Sequence, residues 1–157
     1  MKVHYLNIYN NLIKLTRNKN LYLKLDIDET FSERLTFFFL HFALFLKHFK
    51  TLISKKTLQE LFDFIIKQIE LSIREIGYGD VSVNKKMKDY VNLFYSIVEE
   101  IETIDLDNTK DKITLLKKYL NTDKNLDFYD NYFNKYRLFL TKNTLNNFTK
   151  DIINLNF

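Results

Sequence analysis

The chain has no cysteine, no proline, no tryptophan and only 2 glycines in its 157 residues. Without cysteine, disulfides, thiolate chemistry and cysteine-ligated zinc or iron–sulfur sites are excluded. Without proline, and with so little glycine, sharp turns are few and long helices are favoured. Charge of one sign is scarce as well: 24 Lys and Arg against 20 Asp and Glu leave a formal net charge of +4. That is too little to demand nucleic acid, but it suits an acidic partner. No N-terminal run shows the basic, apolar and small-residue order of a secretory signal, nor the Arg- and Ser-rich character of an organelle transit sequence. The expectation is a bacterial cytoplasmic protein, with a peripheral position at the inner membrane left open.

What is plentiful is aromatic bulk, 15 Phe and 10 Tyr, enough to fill a core and furnish a binding surface. Nearly every apolar segment repeats at three- and four-residue steps, so the chain reads as one all-α domain of about six or seven helices. Tyr5, Leu6, Tyr9, Leu12 and Ile13 mark a first amphipathic helix, and Asn18 to Leu25 a short second element. Asp26 to Thr30 reads as a polar loop, after which Thr30 and Glu33 form a capping-box pattern. The helix that follows, LTFFFLHFALFLKHF from Leu35, is the most apolar part of the chain. Its uncharged run, Leu35 to Leu46, falls well short of the ~20 residues a bilayer span needs, so it reads as a central core helix.

The organising stretch is Leu58 to Val98. A stripe of Leu58, Leu61, Phe62, Ile65, Ile69, Ile73 and Ile76 predicts a helix opened by a Thr57/Glu60 capping box and closed at Gly77. Ser82 is placed to cap a second helix, from about Lys85 to Ile104, with the stripe Met87, Tyr90, Val91, Phe94, Val98 and Ile101. Asn108 or Thr109 then starts a helix to about Leu120. The aromatic tail from Leu126 reads as one more, ending near Asn147.

Charge placement around this hinge is unusual. Lys85, Lys86 and Lys88 fall in the expected first turns of a helix, and Glu99, Glu100 and Glu102 near its end, both opposed to the macrodipole. The lysines are either a docking patch or a solvated face. Lys50, Lys55 and Lys56 form a second basic corner, expected at the opposite end of the preceding helix. At the turn, Asp80 is expected to cap the next helix while Arg74 pairs with a nearby acid, and the shaped loop of Arg74, Glu75, Gly77, Gly79 and Asp80 offers a partner-contact point.

Catalytic readings are weak. LDIDET (Leu25 to Thr30) matches the DxDxT nucleophile pattern of a phosphatase, with Asp26 as nucleophile, Asp28 as acid/base and Gly79–Asp80 as a later acidic motif. That chemistry needs strand tips in a parallel sheet, and the β–α alternation is missing. An EF-hand fails because its required glycine would be Phe31. His41 and His48, two helical turns apart, are too distant to share a metal ion, and His41 reads as a satisfied core histidine. No cofactor or metal is expected.

REIGYGDVSVNKKMKDYVNLFY (Arg74 to Tyr95) resembles the signature of the ubiquinol–cytochrome c chaperone family, roughly LREMGVGDLxVGKKVKxMxxxFY. Leu61–Asp63, Arg17, Leu21–Tyr22, Asp28–Thr30, Arg34 and Leu40–His41 follow the family's order. The resemblance spans about residues 5 to 100, leaving the helices at 108–150 unmatched. Asn84 and Ser96 stand where the family has glycine. The resemblance implies a non-enzymatic chaperone that binds newly made cytochrome b during biogenesis of the ubiquinol–cytochrome c reductase, respiratory complex III. The implied partners are nascent or newly inserted cytochrome b, the ribosome and a small partner subunit. The implied site is the turn with Lys85, Lys86 and Lys88. The alternative is a basic helical module that binds ribosome, RNA or an acidic protein without a cytochrome client.

Overall fold

The computed structural model describes residues 4–25 and 30–150. Asp26 and Asp28, the two acids of the DxDxT pattern, lie outside the described residues. The described chain is helical: α1 Tyr5–Thr16, α2 Asn20–Leu23, α3 Phe31–Phe49, α4 Lys55–Ile76, α5 Asp80–Thr103, α6 Thr109–Leu120, α7 Leu126–Lys142 and α8 Leu145–Lys150. A 3-10 turn, Lys50–Leu52, follows α3, and no strand occurs among the described residues.

The all-α single domain is built around α3. The helix starts at the expected capping box, where the Thr30 hydroxyl accepts from the Glu33 amide and the Glu33 carboxylate accepts from the Thr30 amide. Its side chains from Phe37 to Phe45 are buried on all sides, because α1, α5, α6 and α7 all pack against it. Phe31–Leu52 is the one segment among the described residues long and apolar enough to cross a membrane by length and composition, and its window is 61% buried inside the protein. Aromatic contacts tie the layers together. Phe42 stacks on Phe94 of α5 at 5.1 Å, and Phe37 meets Tyr22 and Tyr129 at 5.3 and 5.8 Å.

The C-terminal aromatics are core, not surface. Tyr129, Tyr132, Phe133 and Tyr136 of α7 are buried against α3. The expected single tail helix is in fact two. Asn143 takes extended angles (φ −122°, ψ 146°), which ends α7 and turns the chain into α8. That short helix packs on α1, and its Phe148 is fully buried against Phe45, Phe49 and Phe139.

The candidate surface at the turn between α4 and α5

Two of the expected helix starts move. Ser54, not Thr57, caps α4: its hydroxyl accepts from the Thr57 amide. Glu60, assigned to a capping box, instead accepts a hydrogen bond from the Tyr5 hydroxyl at 2.6 Å. At the other helix, α5 begins at Asp80 rather than near Lys85, and Ser82 caps nothing because it already lies inside the first turn. The connection is only Gly77, Tyr78 and Gly79, so α4 and α5 form an antiparallel pair. Gly77 is the left-handed C-cap expected of it, at φ 108° and ψ 12°. Gly79, at φ −75° and ψ 167° with open space around a Cβ, sits in a conformation any residue adopts.

Arg74 clamps the turn. Its guanidinium donates to Glu70, 3.2 Å away on the same helix, and to Asp80 across the turn. Asp80 therefore accepts from Arg74, and no side-chain hydrogen bond caps α5. The clamp holds the Glu70 carboxyl below its ordinary range and raises the guanidinium further. Glu75 is exposed beside it.

The earlier helix start changes the meaning of the lysines. Lys85, Lys86 and Lys88 occupy the second and third turns of α5, beyond the reach of the macrodipole, which fades within the first turn. The first turn carries Asp80, the sign the dipole favours. At the far end the reversed acids have partners: Glu102 accepts from Lys50 at 2.7 Å, with Lys47 at 4.0 Å, and Glu100 pairs with Lys118. The Lys50 corner is thus partly engaged within the protein. Lys85 and Lys88 are exposed and lack an acidic partner among the described residues. Lys86 is half-buried with its ammonium 4.5 Å over the Tyr78 ring. The two basic corners are well separated, since the 22 residues of α4 span about 33 Å.

Sequence reasoning missed the apolar surface here. The buried stripe of α4 is Leu61, Ile65, Ile69 and Ile73. Ile76, assigned to that stripe, is 53% exposed because it lies past the edge of the core. Tyr78 and Val81 are 43% and 85% exposed, and every residue from Arg74 to Ser82 faces solvent. On α5 the buried line is Val83, Phe94, Ile97 and Ile101, which leaves Val91 and Val98 only partly covered. Val91, with Ile66, Met87, Glu70 and Lys88, lines a shallow groove of about 320 Å³ between the two helices. A larger cleft, about 580 Å³, lies elsewhere, against α3 and α7, with Lys47, His48 and Arg137 on its walls.

His41 is a core residue, fully buried with both ring nitrogens bonded. No group of three His, Cys, Asp or Glu side chains is arranged to hold a metal ion among the described residues. Asp80, the later acid of the phosphatase reading, is bound to Arg74 at a helix start rather than at a strand tip.

The model of one family, ubiquinol–cytochrome C chaperone, matches residues 23–115, more than half of the chain. The chain belongs to this family. The match holds the clamped turn, the lysines and the groove, and its bounds differ from the expected 5 to 100. It leaves α1 outside and runs on into α6, because the pattern of the α5–α6 connection belongs to the family as well. No curated protein and no solved structure matches the chain. The role is that of an assembly chaperone for complex III, and the family is non-catalytic.

Proposed function

We propose that this chaperone holds newly made cytochrome b during complex III assembly, and that it works by stoichiometric binding, without catalysis. The observation that carries the reading is the α4–α5 face. Inside the family-matched segment, an apolar groove lined by Ile66, Met87 and Val91 runs beside lysines that no acid of the described chain neutralises. A groove of that kind receives an amphipathic or apolar helix, and its charged rim sets orientation and encounter rate. The ribosome and a small partner subunit are the further partners this reading admits, because nascent chain and chaperone would meet where the client is made.

The test is charge reversal of Lys85, Lys86 and Lys88 to Glu. The isolated protein should keep its stability to within about 1 kcal/mol, since the residues are surface-facing and beyond the dipole's range. Capture of cytochrome b, and the amount of assembled complex III in cells, should fall severalfold because an attractive rim has become repulsive. Undiminished capture by the folded triple variant would remove the lysines from the site. Ribosome co-sedimentation at low salt without any captured cytochrome b would favour the ribosome-binding module instead.

A further inference from the structure

The tip of the α4–α5 pair carries a second surface, distinct from the groove. Three large apolar side chains, Ile76, Tyr78 and Val81, stand 53%, 43% and 85% exposed within an unbroken run of exposed residues. They sit on a projecting corner, where a three-residue turn joins two helix ends. A projecting corner offers no concavity for a helix to lie in, but it can enter a plane. Val81, Lys85 and Lys88 recur at i, i+4 and i+7, so they share one face of α5. Lysines therefore sit just behind the apolar tip. The ammonium of Lys86 over the Tyr78 ring adds a cation directly beside the aromatic residue. The acids of the corner are Glu75, Asp80 and Asp89, and Asp80 is neutralised by Arg74. Three lysines thus face two free carboxylates.

We infer that this tip docks on an anionic lipid bilayer, with Ile76, Tyr78 and Val81 entering the interface and Lys85, Lys86 and Lys88 meeting the headgroup phosphates. An amphipathic aromatic, two aliphatic side chains and a cationic second row are the chemistry of an interfacial contact. Each lysine near an anionic surface contributes about fivefold to partitioning. The docking needs no client, so it stands apart from the capture of cytochrome b.

The chain has no tryptophan, so Tyr78→Trp places a single reporter in the tip. With purified full-length protein at low salt, vesicles of phosphatidylglycerol in phosphatidylcholine should blue-shift its emission, and brominated acyl chains should quench it. Pure phosphatidylcholine vesicles should do so weakly, and added salt should weaken the contact through screening. In co-sedimentation, Ile76→Ser with Val81→Ser should reduce binding to the anionic vesicles at least about tenfold, and Lys85→Gln with Lys88→Gln about as much. These side chains are exposed, so circular dichroism melts should stay near those of the parent. Absence of binding to anionic vesicles, or binding unchanged by the Ile76/Val81 substitutions, would overturn the inference. So would self-association that depends on these residues without vesicle binding, since the tip would then belong to a second copy. Lost vesicle binding with cytochrome b capture intact would separate this surface from the client groove.

Discussion

His41 sits in the middle of α3 with both ring nitrogens engaged at 2.6 Å, Nδ1 against the Phe37 carbonyl and Nε2 against the Tyr132 hydroxyl. A carbonyl can only accept, so Nδ1 carries the proton and Nε2 accepts from Tyr132. The neutral ring is fully satisfied, and a second proton would arrive where a donor already points. Burial accordingly pushes the His41 pKa down to about 4. Unfolding returns it to about 6.5, so between those values the unfolded chain binds more protons than the folded one. Stability from this residue is complete above about pH 6.5 and is lost as pH falls toward 4, by roughly 3 kcal/mol in all. Urea midpoints measured across that range should fall more steeply for the parent than for His41→Gln, which cannot titrate. Parallel slopes would place the acid sensitivity elsewhere.

At the scale of elements, the turn between α4 and α5 depends on one backbone conformation. Gly77 has φ 108°, yet nothing lies within 4 Å of where a Cβ would stand. The cost of substitution is therefore backbone strain alone. Gly77→Val should lower stability by about 1–3 kcal/mol and Gly77→Ala by about 1, while the same changes at Gly79 should be nearly silent. Denaturant titrations of the four variants separate the two glycines, and equal effects at both would contradict this account. The need for glycine at 77 was legible in the sequence because a dense apolar stripe ran into it. So were the Thr30–Glu33 box, the Asn108 cap of α6 and the burial of α3. The starts of α4 and α5 were not, because Ser54 and Asp80 compete with equally plausible capping patterns a few residues on, and tertiary packing decides between them. Ile76 was misplaced for a related reason: periodicity gives the direction of a side chain but not where the core ends. The exposed tip could be found only from the fold.

For the whole molecule, the family match stops in α6, but the core does not. Phe148 of α8 is fully buried among Phe45, Phe49 and Phe139. Asn11 of α1 donates to the backbone carbonyl of Phe148 at 3.1 Å, and Tyr136 of α7 donates to that of His41 at 2.9 Å. Phe148→Ala should therefore cost about 3–5 kcal/mol, read as a drop in the urea midpoint of one cooperative transition. A loss below about 1 kcal/mol would mean that α8 is an appendage to a core complete without it.

The Asn11–Phe148 bond joins residues 137 positions apart. Such distant pairings close last, after the loop between them has been made. During synthesis α1 and α3 emerge first, and they wait for nearly the whole remaining chain before α7 and α8 cover them. The α4–α5 pair, by contrast, can form as soon as it is made. A growing copy thus displays the phenylalanine-rich α3 for most of its own translation, in the same sticky condition as the chains that chaperones protect. A stop codon a few positions early, removing only α8, would yield a molecule with its binding face intact and its core unsealed. Such a molecule would be handled by the cell as a client rather than employed as a chaperone.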